Sequence, residues 1–406
     1  MTAQARRAAD PGDLLLVLNA GSSSLKFALH EPLELRCEYR GSAEGGNGRG
    51  RIEIAAAEGE PWRANLEGDD FQRSAFAALF DWLNRHALTE RLSAAGHRVV
   101  HGGVEFTAPL LVDDANLARM DDLVLLAPLH LPQNLSAIHL LADLKPDLPR
   151  VACFDTAFHA VQSPMVRTYG LPAHLTRQGY IRYGFHGLSY EYIASCLGTL
   201  FGDEAARARV VVAHLGNGAS LCAMKDRTSV ATTFGYSTLD GLIMGTRCGA
   251  LDPGLVLQLI RDHGGDADFV EAMLYKESGM LGVSGIASDM RALLASDDPQ
   301  AAFAVDMFVY RIVRECGSLA AALGGIDAIV FTGGIGARSA PVRARVCEGL
   351  QWLGASIDRE RNESGAARIE APGSSILAAA VPTNEELVIA RHTRDLVYQS
   401  AGTIRS

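Results

Sequence analysis

Leu14 to His30 reads LLLVLNAGSSSLKFALH, and this stretch constrains the chain more than any other. Leu14 to Leu18 form an apolar run with the character of a buried strand. The run stops at Asn19, passes through Ala20, Gly21 and the hydroxyls of Ser22, Ser23 and Ser24, and resumes at Phe27 after Lys26. Strand, tight turn of small donors with a lysine, and second strand suit the grip of a phosphate. Gly21 lets backbone N–H groups approach an anion, the hydroxyls add short donors, and Lys26 adds positive charge. The same pattern also describes a plain β-hairpin with a serine-rich turn, and this segment alone leaves both readings standing.

The rest of the chain alternates apolar β-like runs with longer amphipathic stretches, which is the mark of an α/β protein. Asp70 to His86 has helical spacing through Phe71, Phe76, Leu79, Phe80 and Leu83, and Phe303 to Leu323 reads as a long helix ended by Gly324-Gly325. Short strands are expected at 97–101, 148–152, 210–213 and 326–331, and the Gly-rich segment 41–50 as a polar loop. Three times a strand runs directly into a small-residue turn: NAGSSS at 19–24, HLGNGAS at 214–220 and TGGIG at 332–336. Such turns let backbone amides face a ligand. Three of them, spread over both halves, suggest two related α/β lobes closing on one polyphosphate. No G-x-x-x-x-G-K-[ST] and no G-x-G-x-x-G is present, so neither a P-loop nor a Rossmann fingerprint applies.

With 406 residues, 48% of them hydrophobic, the chain has the length for two domains. A net charge of −10 argues against a nucleic-acid or anionic-membrane partner. Seven scattered cysteines without a CxxC pair fit a reduced, cytoplasmic protein and argue against structural zinc. The opening MTAQARRAADPGD has no apolar stretch behind its arginines and reads as a disordered lead-in rather than a signal peptide. No run approaches the roughly 18 apolar residues of a membrane span.

The motifs together resemble the acetokinase (acetate kinase) family of the acetate and sugar kinase, Hsp70 and actin superfamily. Asn19 to Lys26 matches the family's N-terminal signature. RVVHGG at 98–103, APLH at 127–130, FDTAFH at 154–159, RYGFHG at 182–187, HLGNG at 214–218 and GLIMGTR at 241–247 follow in family order. Asp289 and Arg291, Gly333 to Gly336, and PTNEE at 382–386 complete the set. The resemblance implies two duplicated actin-like (ribonuclease H-like) α/β domains with the active site in the cleft between them. The first would comprise 1–155 plus the returning segment 384–406, and the second, nucleotide-binding, 156–383. It implies a homodimer and the reversible reaction of MgATP with acetate to give acetyl phosphate and ADP, with Mn²⁺ able to replace Mg²⁺.

Roles carry over by position. Arg98 orients the substrate carboxylate or phosphate. Arg247, the one charge in an otherwise uncharged run from Gly241 to Leu251, stabilises the transferring group, and His186 donates to the same oxygens. Asp155 belongs to the catalytic set. A carboxylic acid is already ionised at neutral pH, so no general base is needed, and Asp155 reads better as an orienter of metal-bound water or of a catalytic arginine. Val100, Leu129 and Phe185 would line the methyl pocket, with ordinary core packing as their other reading. Lys26, His214, Leu215, Gly216, Asn217, Gly218, Asp289, Met290, Arg291, Gly333, Gly334, Ile335, Gly336 and Ala337 are the ATP-binding candidates. Asn19 and Glu385 are the metal candidates, with Glu386 a twin that sequence alone does not separate. His130 and His159 match family positions and can serve the fold alone.

The chain departs from the family pattern at Thr238, where proline is usual before the Leu-x-Gly-Leu segment, and this bears on acyl-chain preference. Leu188 and Tyr190 replace threonine and histidine after the GFHG motif. Leu131 replaces asparagine, and Ala337-Arg338 replaces Glu-Asn. None of these removes a charged residue assigned to the chemistry.

Overall fold

The computed structural model describes residues 9–10, 12–46, 48–56, 58–202 and 207–398, so most of the N-terminal lead-in lies outside the described residues. Two compact units are formed, Met1–Ala157 with Asn384–Ser406, and Phe158–Thr383.

The first unit is built on β1 (Leu14–Ala20), β2 (Ser24–His30), β3 (Cys37–Gly46), β4 (Arg49–Ala56), β5 (Trp62–Glu67), β6 (Leu92–Val99), β7 (Leu110–Leu111) and β8 (Arg150–Phe154). Their order across the sheet is β5-β4-β3-β2-β1-β6-β8-β7. β1 through β5 meander antiparallel, whereas β1, β6 and β8 are parallel neighbours. The second unit carries β9 (Arg209–Leu215), β10 (Ala219–Lys225), β11 (Thr228–Thr232), β12 (Ala328–Thr332) and β13 (Leu377–Ala380) in the order β11-β10-β9-β12-β13. Again the first three are antiparallel, and β9, β12 and β13 are parallel. The arrangement β3-β2-β1-β6-β8 is therefore repeated as β11-β10-β9-β12-β13. This is the duplicated α/β topology of the actin-like fold.

Burial explains the apolar run that opens β1. Leu14 to Leu18 are each at most 1% exposed, because helices cover both faces of a parallel strand pair. Leu14, Leu16 and Leu18 pack in one core with Phe76, Leu79 and Leu83 of the Phe71–Arg85 helix and with Ala137 and Leu141 of the Leu131–Leu144 helix. On the opposite face the Glu385–Val397 helix lies close on β6, where a Cβ built on Gly96 would sit 2.2 Å from Thr393 Oγ1. Only glycine allows that approach, and it carries the start of this helix to the end of β6.

Local signals behave as their chemistry dictates. Asp70 caps the Phe71–Arg85 helix by accepting from Arg73 N at 3.0 Å. The long helix spans Pro299–Leu323, four residues earlier than its apolar pattern begins, since Asp298 caps it and Pro299 opens it. The 41–50 segment is mostly strand, not loop: 41–46 end β3 and 49–50 start β4, paired Gly45↔Gly50 and Gly46↔Arg49. A Cβ on Gly41 would fall 2.2 Å from Phe27 Cζ, so small residues here make room for a ring on β2. Among the described residues no helix is long and apolar enough to cross a membrane. Among the described residues no cysteine is joined in a disulfide.

His97 on β6 is 1% exposed, and neither ring nitrogen has a hydrogen-bond partner among the described residues. Burial, aided by the Arg150 charge, pushes its pKa down to about 3. The unfolded chain takes up a proton below about pH 6.5 while the folded state does not. Above that pH the proton uptake costs the fold nothing, and the stability it takes away grows as pH falls toward 3. Replacing an unpaired buried imidazole with an apolar group should also relieve a desolvation penalty. His97→Leu is expected to reduce by about 2 kcal/mol the stability lost between pH 7 and pH 5 in urea titrations; identical losses in both proteins would refute this.

Candidate active site

In the first unit the side chains of interest come from the carboxyl ends of three adjacent parallel strands, where open α/β sheets bind their ligands. Asn19 stands next to last in β1, Arg98 next to last in β6, and Asp155 directly after β8. Arg98 Nε donates to Asp155 Oδ1 at 3.0 Å and Nη2 to Oδ2 at 2.5 Å, a two-pronged, charge-assisted clamp. Its Nη1 donates to Asn19 Oδ1 at 3.1 Å. Glu385 Oε2, on the first residue of the Glu385–Val397 helix, lies 3.8 Å from Arg98 Nε. Burial by itself would lower the Arg98 pKa, but the charges of Asp155 and Glu385 and the Asp155 hydrogen bonds hold it above its usual value. The cation is permanent. Its side chain is 23% exposed against 2% for Asp155, so the arginine meets solvent while the carboxylate stays behind it.

The same geometry separates the two glutamates. Glu385 faces Arg98, whereas Glu386 Oε2 pairs with Arg40 at 3.4 Å. Burial pushes the Glu386 pKa up, opposed by the charges of Arg40 and Lys26. Lys26 is exposed and lies directly across the β1–β2 ladder from Asn19, so both side chains leave one face of the sheet. Asn134 has no sequence motif to announce it. Its amide donates to Ala20 O at 2.7 Å and accepts from Val100 N at 2.9 Å, bracing the ends of β1 and β6.

The second unit repeats the plan. Thr332 at the end of β12 pairs in register with His214 near the end of β9, so the 215–218 turn and the Gly333 segment leave from adjacent parallel strands. TGGIG was expected as a turn; Gly333–Arg338 is a short helix that follows β12 directly. Gly216 N donates to Gly218 O at 3.0 Å, closing the β9–β10 turn. Gly245 N donates to Asn217 O at 3.0 Å, which ties the loop carrying Arg247 to that turn. Arg247 Nη1 donates to Thr238 O at 2.9 Å. A Cβ on Gly218 would lie 3.4 Å from His186 Nε2 and 3.6 Å from Arg247 Nη2, so the two side-chain tips meet over this glycine.

His186 adopts a left-handed backbone, φ 60°, ahead of the Gly187–Phe201 helix. A non-glycine residue held there is strained, a feature that clusters at functional sites. Its ring stacks on His214 with centroids 4.0 Å apart, and its Nδ1 is 2.9 Å from Ser220 Oγ. His214 Nδ1 meets Ser189 Oγ at 2.8 Å. Ser220 was visible in the HLGNGAS stretch, but only as a small residue of a turn.

The remaining candidates are more dispersed. Val100 and Phe185, 5% and 1% exposed, are first of all core side chains, while Leu129 is 40% exposed. The Phe185 ring packs edge-on against Phe234 at 5.8 Å. His159 bridges Ser229 Oγ at 2.8 Å and Phe185 O at 3.0 Å. Burial takes its pKa down to about 4, which suits a neutral brace behind the His186 loop. His130 precedes the Leu131–Leu144 helix without capping it. Asp289 caps a short helix, accepting from Arg291 N at 3.0 Å and Ala292 N at 3.1 Å. The Arg291 side chain is exposed and Met290 is buried, which leaves only the Met290 backbone for a ligand.

Among the described residues no group of three or more His, Cys, Asp or Glu side chains is placed to hold a metal. Asn19 Oδ1 and the Glu385 carboxylate are nonetheless hard oxygen donors, each next to the Arg98 guanidinium. Such a sparse pair fits Mg²⁺, which keeps several waters and binds largely through substrate phosphates.

A family model described as the acetokinase family matches residues 14–391. The acetate kinase of Rhodopseudomonas palustris (strain ATCC BAA-98 / CGA009) is 52% identical over 387 residues, covering 94% of this chain and 97% of the relative. That of Rhizobium meliloti is 47% identical over 390 residues, covering 95% and 98%. Among solved structures, Porphyromonas gingivalis acetate kinase matches with a TM-score of 0.86 at 34% identity, over 95% of this chain and 100% of that one. A propionate kinase from Francisella tularensis subsp. tularensis SCHU S4 matches with a TM-score of 0.90 at 35% identity, over 95% and 100%.

The Arg98–Asp155 clamp makes a prediction independent of function. Removing one partner strands a largely buried charge, at a cost of about 3–5 kcal/mol, whereas removing both costs less. Asp155→Ala should therefore lower unfolding stability more than the Arg98→Met/Asp155→Leu pair does. Greater loss in the double variant would show that the clamp does not stabilise this unit.

Proposed function

The chain belongs to the acetokinase family, and we propose that it transfers the γ-phosphoryl group of ATP to the carboxylate of acetate, reversibly, giving acetyl phosphate and ADP by direct in-line displacement. The observation that carries this reading is that each charge-stabilising side chain the transfer calls for is already held by bonds of its own. Asp155 and Asn19 hold Arg98, Ser220 holds His186, and the Thr238 carbonyl holds Arg247. Phosphoryl transfer asks little covalent chemistry of a protein and a great deal of positioning and cationic stabilisation.

Arg98 takes the carboxylate of acetate, or the phosphate of acetyl phosphate in reverse. Arg247 and His186 donate to the equatorial oxygens of the phosphoryl group in flight. Asp155 acts through Arg98. Val100, Leu129 and Phe185 shelter the methyl group. The Phe158–Thr383 unit takes the nucleotide on the 215–218 turn, Gly333 to Ala337, Asp289 to Arg291 and His214, and Lys26 answers phosphate charge. Asn19 and Glu385 would hold Mg²⁺, or Mn²⁺ in its place. Bound there with the nucleotide, the ion would neutralise phosphate charge. We assign the activity to the cytoplasm, where its co-substrate is held.

A homodimer is part of the same proposal. The Pro253–Asp262 helix buries none of its residues, and Leu255 and Leu257 on it are 47% and 53% exposed. Leucines left uncovered on different sides of one helix are suited to burial against a second copy of the chain. Leu257→Glu should shift the mass found by light scattering from two chains toward one; an unchanged mass would remove this helix from the interface.

Propionate is the second reading, favoured by Thr238 where the family pattern has proline. One methylene is worth only about 1–3 kcal/mol in an apolar pocket, so few residues decide it. Acyl-phosphate formation with acetate, propionate and butyrate, compared as kcat/KM, tests the assignment. Acetate is expected to lead. A lead for propionate would mean a pocket re-cut around Thr238, and no turnover with any acid would overturn the kinase reading. Arg247→Ala should lower kcat by about 10²–10³-fold with nucleotide affinity little changed; retained turnover would remove Arg247 from the chemistry.

A further inference from the structure

Behind His186 runs a short chain of hydroxyls. Ser220 Oγ lies 2.9 Å from His186 Nδ1, and the Tyr190 hydroxyl lies 2.6 Å from the same Ser220 Oγ. Tyr190 sits in the first turn of the Gly187–Phe201 helix, where its N–H donates to His186 O at 3.0 Å. Ser220 stands on β10 directly across the ladder from His214, whose ring stacks on His186. Tyr190 and Ser220 are both 0% exposed, so water cannot complete their hydrogen bonding from bulk solvent.

The direction of the chain follows from counting donors. Each hydroxyl has one proton to give. Among the described residues Ser220 Oγ is the hydrogen-bond partner of the Tyr190 hydroxyl, which must donate to it or leave a buried O–H unsatisfied. Ser220 accepts from tyrosine, and among the described residues His186 Nδ1 is the partner left for its own buried O–H, which donates there rather than stay unsatisfied. Nδ1 is then an acceptor, and the imidazole proton resides on Nε2. That nitrogen is the one placed beside Gly218 and the Arg247 guanidinium. Burial also pushes the Tyr190 pKa well above its usual value, so the phenol keeps the proton that starts the chain.

We propose that Tyr190 and Ser220 are positioning residues that fix His186 in the tautomer carrying its proton on Nε2, so that it presents a donor beside Arg247. The consequence for catalysis rests on the reading that His186 serves the transferring phosphoryl group. The tautomer itself does not. Tyr190 is one of the positions where this chain departs from its family pattern, which has histidine there.

The test combines ¹⁵N-histidine NMR of the full-length protein without substrate and steady-state kinetics. Two-bond ¹H–¹⁵N correlations report the tautomer, with the His186 ring assigned by its loss in His186→Gln. The native protein should show the Nε2–H form. Tyr190→Phe frees Ser220 to accept from Nδ1, and should produce a mixture of tautomers with kcat down about tenfold and KM for acetate and ATP little changed, short of the 10²–10³ cost of deleting a transition-state donor. Ser220→Ala should do the same, and Ser220→Thr, which keeps a hydroxyl, should restore the Nε2–H form. An Nδ1–H tautomer in the native protein, or one unmoved in both Tyr190→Phe and Ser220→Ala, would overturn the relay even if the enzyme phosphorylates acetate. A relay that responds in a protein inactive on every acid would stand, and would count instead against the proposed reaction.

Discussion

Parallel pairing at the centre of each sheet is the constraint on which the other features depend. β1, β6 and β8 run in one direction, as do β9, β12 and β13, so every member of a trio ends on the same edge. Residues far apart in sequence are thereby delivered to one place. Asn19, Arg98 and Asp155 meet because three strands stop together, and His214 neighbours Thr332 for the same reason. Parallel strands need crossovers, crossovers bring covering helices, and covered strands must be apolar on both faces. The uninterrupted leucines and valine of β1 are the sequence's record of that requirement.

This explains which parts of the fold were legible. Runs such as Leu14 to Leu18 and the spacing from Phe71 to Leu83 are local consequences of burial, and they announced a strand and a helix. The segment 41–50 misled because its glycines lie in paired strands, and at Gly41 the reason is not local: Phe27, on the neighbouring strand, occupies the space a side chain would need. TGGIG misled in another way. Glycine is a poor helix former, yet here the chain enters a short helix immediately after β12.

The candidate site was legible as a set of residues but not as a set of partnerships. Motif order pointed to Arg98, Asp155, His186 and Arg247. It did not reveal that Asp155 grips Arg98 across 57 positions, nor that Asn134 braces two strand ends from a helix with no motif. Glu385 and Glu386 looked equivalent as adjacent carboxylates. Helix geometry points them apart, one toward Arg98 and the other toward Arg40. Ser220 lay in a motif whose glycines drew the attention, and its partner Tyr190 is 30 residues away. Hydrogen-bond partnerships of this kind depend on register and rotamer, which spacing does not encode.

The partnerships also bear on what kind of chemistry the site can perform. Both carboxylate oxygens of Asp155 are engaged by Arg98, and its side chain is 2% exposed. To act as a base it would have to release the guanidinium that both its oxygens grip. A carboxylic acid acceptor makes no such demand, since it arrives deprotonated at neutral pH. What it brings instead is a second negative charge toward a triphosphate, and that repulsion has to be met by cations already aligned before the substrates arrive. An arginine fixed by a buried carboxylate meets the requirement without reorganising, which is where preorganised electrostatics gain their advantage over water. On this argument the clamp and the absence of any need for a base are two sides of one design, and Asp155 contributes by holding its charge.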